Sequence, residues 1–254
     1  MSLLQSIFLG ILQGITEFLP ISSSGHLVLV ETIFKLNVEE LKSYDVALHI
    51  GSLAAILIYF RKTILQIITK DRKYIVYLII GTIPAVIAGF TLSDFIDKIF
   101  RNTLSIGIIL ILVGVYFLIA EKISSKSATR NLQSANYKLP LLIGLAQMFA
   151  LIPGVSRSGS TISTGILLGL ERKKAAEFSF LLGSIAITGA GLLTALDITD
   201  KIDWQTTGIG FAASLISSYF AIRFLMKFFE KNTLRPFAYY RFAIGLLAII
   251  LTLA

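Results

Sequence analysis

The chain has 254 residues, of which 55% are hydrophobic and 15% are charged, and its mean hydropathy is +0.81. A soluble domain carries roughly a quarter charged residues, so this composition excludes one and indicates an integral membrane protein. The net charge of +8 does not indicate a nucleic-acid-binding protein, because the basic residues stand in short loops between apolar segments. With no cysteine, the chain has neither disulfides nor thiolate chemistry.

Apolar segments follow one another along the chain, and they are continuous rather than alternating in polarity. This pattern predicts an all-α, polytopic membrane helical bundle and not a β-barrel. The segments cover residues 3–20, 21–34, 46–60, 74–92, 103–120, 139–153, 160–170, 176–196, 206–228 and 236–254.

Two pairs of these segments are interrupted by polar, Ser-rich loops at residues 20–25 and 153–161. A full span needs about 20 residues, and the segments of these pairs are shorter. Each pair is therefore expected to form either one interrupted span or a helical hairpin that enters and leaves by the same face. Non-helical backbone at this depth needs surrounding protein or a water-filled cavity.

The sequence around the first interrupted pair recurs around the second, and the likeness continues into the spans that follow. The matched positions include Gln13 with Gln147, Ser22 with Ser156, Asp45 with Glu177 and Gly51 with Gly183, at offsets between 130 and 134. Matches in this order indicate an internal duplication. We predict a single membrane domain over residues 1–254, made of two repeats, 1–122 and 138–254, which a cytoplasmic loop at 123–137 joins.

The distribution of basic residues predicts the topology. If both interrupted pairs are re-entrant, the loops assigned to the cytoplasm, such as residues 61–73, hold most of the lysines and arginines. Six transmembrane helices and two re-entrant hairpins result, with both termini outside. Three spans per repeat is an odd number, so the repeats have inverted topology and their hairpin tips can meet near the midplane. The basic residues left outside are Lys35, Lys42, Lys98, Arg101 and Lys201.

The loop PGVSRSGST at residues 153–161 has the composition of a phosphate-binding site. Its backbone N–H groups and hydroxyls can point at an anion, Arg157 adds a bidentate cation, and the following helix directs its positive end to the same place. Ser156, Ser158 and Thr161 join Arg157 as predicted phosphate ligands. The alternative is a helix break with a snorkelling arginine, but an ionisable residue at this depth favours function.

The first interrupted pair supplies candidates for metal binding and catalysis. Gln13 and Glu17 stand four residues apart on one helix face and carry the oxygen ligands that Mg²⁺ prefers. Ser23 or Ser22 is a candidate nucleophile with His26 as its base, or His26 attacks phosphorus directly. Ser22 is also a predicted phosphate ligand. The residues alone leave the choice of nucleophile open.

Other polar residues of the apolar segments have weaker functional interpretations. His49 is expected to be structural or to line a cavity, and Asp45 and Glu177 are expected to pack or to cap helices. For Arg241 we consider three roles: pairing with an acidic side chain, lining the pocket, or supporting the structure.

Two motifs, QGITEFLPISSSGH at residues 13–26 and PGVSRSGST at 153–161, closely resemble those of the undecaprenyl-diphosphate phosphatase family, also called the bacitracin-resistance protein family. Weaker support comes from EFSFLL at 177–182 and PFAYYRF at 236–242. The resemblance extends over essentially the whole chain, including its length and the order of its spans.

The resemblance implies removal of the terminal phosphate from undecaprenyl diphosphate, which yields the carrier lipid of peptidoglycan and cell-wall synthesis and confers bacitracin resistance. By position, Glu17 would be the essential acid that assists a divalent cation, Mg²⁺ or another such as Ca²⁺. Ser23 and His26 would be the nucleophile or the catalytic pair. The family allows Glu or Gln at the first motif position; Gln13 stands here, which argues against a two-carboxylate metal site.

The resemblance further assigns Ser156, Arg157 and Thr161 to the phosphate-binding loop. It places the chain in the bacterial plasma membrane as a multi-pass protein whose active site opens toward the outer face. The expected partners are a polyprenyl diphosphate lipid and the bilayer, with no nucleic acid, and a homodimer stays open as the oligomeric state.

A transporter or flippase of a polyprenyl phosphate lipid is the rival hypothesis. Inverted repeats with broken helices at the midplane also mark the substrate sites of transporters. A scaffold that only binds lipid would leave both tip motifs unexplained.

Overall fold

The computed structural model describes residues 1–34, 41–100, 102–124, 136–196 and 203–253. Over these ranges the chain is helical without a strand, which confirms the all-α prediction. In chain order the helices are α1 (Leu3–Phe18), α2 (Ser23–Ile33), α3 (Lys42–Tyr59), α4 (Arg61–Lys70), α5 (Arg72–Phe100), α6 (Thr103–Ser124), α7 (Lys138–Phe149), α8 (Arg157–Leu167), α9 (Arg172–Leu196), α10 (Trp204–Phe228) and α11 (Arg235–Leu253).

Five of these helices, α5, α6, α9, α10 and α11, are long and apolar enough to cross a membrane. The pair α3 and α4 is a sixth candidate span, because the two helices qualify together although they bend by 68° at their break. The chain is therefore a polytopic helical membrane protein, and its candidate spans agree with the six that the sequence predicts.

Helix α4 corrects one sequence-based expectation. Residues 61–73 were expected to form a loop, but Arg61–Lys70 is helical. Ile67 packs into the core while Arg61 and Lys62 stay exposed, so the segment is amphipathic. Leu65 and Ile68 of this helix are exposed as well, which suits a segment in contact with lipid.

The two interrupted pairs form helical hairpins, α1 with α2 and α7 with α8, and the members of each pair contact each other. Each hairpin also packs against a spanning helix of the other half of the chain: α1 against α10 and α7 against α5. Glycines permit this close approach, since a β-carbon at Gly10 would lie 2.5 Å from the carbonyl oxygen of Gly210. At the corresponding position, Gly144, a β-carbon would overlap the backbone of Gly81.

Several predictions concern residues outside the described ranges. They include most of the connecting loop at 123–137 and the basic residues Lys35, Arg101 and Lys201. The repeat boundaries and the sidedness of the termini stay predictions.

Arg241 of α11 links both hairpin loops to α6. Its side chain is fully buried, and its guanidinium lies 5.2 Å above the ring of Phe117. The guanidinium donates hydrogen bonds to backbone carbonyls on both hairpin loops and on α6, so of the three roles considered for Arg241 the structural one fits. The acceptors are the carbonyl oxygens of Pro20 at 3.4 Å, Leu110 at 3.3 Å, Gly154 at 2.6 Å and Val155 at 3.3 Å.

Candidate functional site

The site begins with two matching bends in the backbone. Ser22 has φ of 77° and Ser156 has φ of 73°, a conformation that costs a residue with a β-carbon of order 1–3 kcal/mol. Both side chains cap the helix that follows, because the Ser22 hydroxyl accepts from the N–H of Gly25 at 3.3 Å and the Ser156 hydroxyl from that of Gly159 at 3.1 Å. The bends therefore fix the directions of α2 and α8.

The first residues of these two helices, Ser23 and Arg157, line one partly open cavity of about 510 Å³. Two helix N-termini thus border the same space, which favours an anion there. The remaining lining residues are Glu17, Ser24, Asp45, Val46, His49, Ala85, Gln147, Ala150, Leu151, Ser156, Ala186, Ile187, Ala190 and Gly191.

Glu17 connects the two hairpins. Its Oε1 accepts from Arg157 Nη2 at 2.5 Å, and its Oε2 accepts from Ser23 Oγ at 2.8 Å and from Gln13 Nε2 at 3.1 Å. His49 Nε2 lies 3.8 Å from Oε2. One buried carboxylate, 7% exposed, therefore contacts the candidate nucleophile and the candidate phosphate-binding cation.

Arg157 is held in place from two further sides. Its Nη1 donates to the carbonyl oxygen of Ser179 at 3.3 Å. Gly183 leaves room for the guanidinium, since a β-carbon at that position would coincide with the Arg157 side chain. The bare backbone of α9 thus forms part of the site.

Thr161, Ser158 and Ser22 lie behind the cavity wall. Thr161 Oγ1 donates to the carbonyl oxygen of Arg157 at 2.7 Å and shares a hydrogen bond with the Ser179 hydroxyl at 2.6 Å. Ser158 Oγ donates to the carbonyl oxygen of Leu19 at 3.3 Å, which joins the second hairpin to the first. These contacts support the loops; direct phosphate binding by the three hydroxyls stays a prediction.

His26 is positioned away from Ser23. Its Nδ1 lies 2.7 Å from the carbonyl oxygen of Ser22, which can only accept, so Nδ1 carries a proton. Nε2 lies 2.9 Å from the Tyr240 hydroxyl, and the two rings are stacked 5.7 Å apart. His26 does not line the cavity, and the hydrogen-bonded pair there is Ser23 with Glu17.

Sequence reasoning missed several residues of the site. Asp45 was expected to pack or cap, but it lines the cavity, as does His49, for which cavity lining was one expectation. Their spacing of four residues on one helix face was the available signal. The match of Gly51 with Gly183 indicated that α3 and α9 correspond in the two repeats. It did not indicate that Gly183 accommodates Arg157.

The described residues offer few side-chain ligands for a metal ion. The described part of the chain holds no group of three or more His, Cys, Asp or Glu side chains placed to share a metal. Glu17 and Gln13 remain compatible with Mg²⁺, which takes one or two carboxylates and fills its other positions with water and phosphate oxygens. Gln13 is fully buried, and its Oε1 has no hydrogen-bond partner among the described residues.

Together these features define a polytopic helical membrane protein with an anion-accepting cavity between two hairpin tips. The chain belongs to the bacitracin resistance protein BacA family, whose profile matches residues 6–247. This finding confirms the resemblance that the two motifs indicated.

Curated relatives extend over nearly the whole chain. A protein of Thermodesulfovibrio yellowstonii is 43% identical, covering 98% of this chain and 97% of its own length. Relatives from Halothermothrix orenii and Carboxydothermus hydrogenoformans are 39% and 38% identical; the alignments cover 99% and 100% of this chain and 98% and 99% of the relatives. All three relatives are named undecaprenyl-diphosphatase.

Proposed function

We propose that this protein hydrolyses undecaprenyl diphosphate to undecaprenyl phosphate and inorganic phosphate. The reaction recycles the lipid carrier of peptidoglycan and cell-wall synthesis and underlies bacitracin resistance. The observation that carries the proposal is the position of Glu17, which contacts both Ser23 and Arg157 in one cavity. Family membership and the names of the curated relatives support the same substrate.

Binding of the diphosphate rests on Arg157 and the two helix N-termini. In the ligand-free arrangement Arg157 pairs with Glu17. A phosphoryl group brings its own negative charge to the guanidinium, so Arg157 exchanges one anionic partner for another rather than losing its pairing. The backbone N–H groups that begin α2 and α8 add partial positive charge that does not depend on a side chain.

Ser23 is the proposed nucleophile and Glu17 its proton acceptor. Oγ already donates to Glu17 at 2.8 Å, so the proton can pass to the carboxylate as Oγ forms a bond to the terminal phosphorus. The bond from that phosphorus to the bridging oxygen breaks, and undecaprenyl phosphate leaves. Arg157 stabilises the charge of the transferring group.

Hydrolysis of the phosphoserine completes the cycle. Water attacks the phosphorus, and both of its hydrogens leave with inorganic phosphate. The bond to Oγ breaks, and Glu17 returns its proton to Ser23. His26 is proposed to orient the start of α2 through the carbonyl of Ser22, which leaves nucleophilic attack to Ser23.

A divalent cation, Mg²⁺ or Ca²⁺, is proposed as cofactor, with Glu17 and Gln13 as its protein ligands. Bound there, it would supply positive charge to the oxygens of the diphosphate. The unpartnered Oε1 of Gln13 supports this assignment.

The proposed location is the bacterial plasma membrane, with the cavity open to the outer face and both termini outside. The excess of basic residues in the loops assigned to the cytoplasm supports this orientation.

Phosphate release from undecaprenyl diphosphate, measured with purified protein in detergent with Mg²⁺ or EDTA, tests the function. We expect metal-dependent release that is lost in Glu17→Gln and Arg157→Ala. Glu177→Gln is the matched control for Glu17→Gln. Glu177 does not line the cavity, and it pairs with Lys174. Release without a membrane gradient separates an enzyme from a flippase, and well-folded protein that releases no phosphate would favour the flippase.

A further inference from the structure

The cavity has an apolar side that the phosphate chemistry does not use. Ala186, Ile187, Ala190 and Gly191 of α9 line it together with Ala85 of α5. A diphosphate forms no favourable contact with an apolar wall. Transfer of a hydrocarbon chain from water to such a wall is favourable. The small side chains also keep the wall open.

The two halves of the chain differ where this wall stands. Helix α3 packs extensively on α10, but the corresponding helices α9 and α5 make few contacts. A β-carbon at Gly51 of α3 would lie 2.6 Å from the carbonyl oxygen of Phe211 in α10. At Gly183, the matching position of α9, the nearest atoms belong to Arg157. The guanidinium thus occupies the place that a neighbouring backbone takes in the other half.

Helices α5 and α9 meet where Tyr74 packs on Phe178 and where Gly81 faces Leu182. A β-carbon at Gly81 would lie 3.0 Å from Leu182 Cδ1. One turn further along both helices, Ala85 and Ala186 line the same cavity, so the helices run parallel with a crevice between them. A β-carbon at Gly89, a further turn along α5, would have no neighbour within 4 Å. Space is therefore open beside α5 beyond Ala85, the last α5 residue that lines the cavity.

Gln147 gives an independent indication that the cavity receives a ligand. It lines the cavity, its side chain is 2% exposed, and its Oε1 has no hydrogen-bond partner among the described residues. A buried acceptor without a partner costs free energy, which a hydrated head group in the cavity would recover.

We propose that the crevice between α5 and α9 binds the prenyl chain of the lipid substrate. This inference rests on the proposed function, because it requires the diphosphate to lie at Glu17, Ser23 and Arg157. The head group and the first isoprene units then occupy one continuous cavity, and the rest of the chain leaves sideways into the bilayer.

The absence of cysteine from the sequence permits a selective test. Gly191 lines the cavity, and a β-carbon there would lie 3.9 Å from Ile50, so a small side chain fits. Gly189, in the same helix, does not line the cavity, and a β-carbon there would have no neighbour within 4 Å. Gly191→Cys and Gly189→Cys, each alkylated with N-benzylmaleimide, form a matched pair. Phosphate release is measured with undecaprenyl diphosphate and with the short-chain geranyl diphosphate.

We expect alkylated Gly191→Cys to lose about tenfold or more in kcat/KM for undecaprenyl diphosphate while geranyl diphosphate changes by less than about twofold. Alkylated Gly189→Cys should retain both activities. An equal loss for both substrates, or no loss for either, would overturn the crevice as the chain site. If unmodified protein releases phosphate from neither substrate, the phosphatase proposal itself fails. Ala190→Cys, with the same control, replaces Gly191→Cys if gel filtration shows that the latter does not fold.

Discussion

Ser22 and Ser156 have the same left-handed backbone conformation, with φ of 77° and 73°, at matching positions of the two hairpins. Each serine precedes a helix and accepts a hydrogen bond from the backbone N–H three residues later. The two bends bring Ser23 and Arg157, the residues that follow them, to one cavity. The proposed catalytic geometry therefore depends on two buried serines at positive φ.

Ser156→Ala should destabilise the protein more than Ser156→Gly. Alanine loses the hydrogen bond to Gly159 and keeps a β-carbon at positive φ, whereas glycine adopts this φ freely. An N-cap serine is worth about 1 kcal/mol relative to alanine and only a few tenths relative to glycine. Thermal unfolding in detergent should give the lower Tm for Ser156→Ala. Equal Tm values for the two variants would show that a β-carbon at this positive φ costs no stability.

Ser23→Ala should abolish turnover, with a fall in kcat of about a thousandfold or more, because no nucleophile remains. Ser24→Ala is the matched control, since Ser24 is the next residue and lines the same cavity. Rapid acid quench with substrate labelled in the terminal phosphate should trap a phosphoserine at Ser23. Label on His26 instead, or an active Ser23→Ala protein, would make the nucleophile assignment wrong.

Gly183→Ala should impair the site although glycine carries no functional group. The new methyl group would overlap the Arg157 guanidinium and force it away from Glu17. We expect KM for the diphosphate to rise about tenfold, as in the loss of a charge-assisted contact. Gly189→Ala adds the same methyl group to the same helix where no atom lies within 4 Å, so its KM should be unchanged. A Gly183→Ala enzyme with normal KM would show that Arg157 does not bind substrate from its present position.

Arg241→Met should strongly destabilise the protein. The carbonyls of Pro20, Gly154 and Val155, which lie outside the helices, lose the guanidinium as donor, and each buried acceptor left unsatisfied costs roughly 1 kcal/mol or more. The free energy of unfolding is expected to fall by about 3 kcal/mol or more, seen as a large fall in Tm. Arg235→Met on the exposed start of the same helix should leave Tm nearly unchanged. Similar Tm values for both variants would argue against Arg241 as the link between the hairpins.

Gln13→Glu should lower the Mg²⁺ concentration needed for half-maximal activity. A second carboxylate beside Glu17 strengthens cation binding and repels Glu17 when no cation is present. Titration of phosphate release with Mg²⁺ measures the shift, and Tm with and without Mg²⁺ gives a second readout. If Mg²⁺ stabilises neither the native protein nor Gln13→Glu, the assignment of Gln13 and Glu17 to a metal is wrong.

Local pattern predicted much of the fold. The Pro- and Ser-rich interruptions at residues 20–25 and 153–161 contain the bends between α1 and α2 and between α7 and α8. The helices begin inside the stretches predicted as loops, α2 at Ser23 and α8 at Arg157. Clusters of proline, serine and glycine favour a break in a helix through local backbone preferences, although the single Pro84 lies inside α5. Long apolar runs predict spans by their length and composition. The short amphipathic α4 was missed because its basic residues also suit a cytoplasmic loop.

Tertiary packing determines the side-chain contacts of the site that the local sequence pattern does not predict. His26 follows Ser23 by three residues, a spacing that places both near one helix face, yet His26 contacts Tyr240 of α11 and Ser23 contacts Glu17 of α1. The orientation of α2 between these helices separates the two side chains. Asp45 and His49 reach the cavity because α3 passes beside α1. Their spacing places both on one face of α3, but it does not indicate which helix that face meets.

Ser23 and Arg157, the proposed nucleophile and cation, occupy matching positions of the two predicted repeats, each at the first residue of its helix. A symmetric pairing of two identical repeats would bring together two serines or two arginines, but never one of each. The proposed route needs one of each, so it depends on a difference between the two repeats at this position.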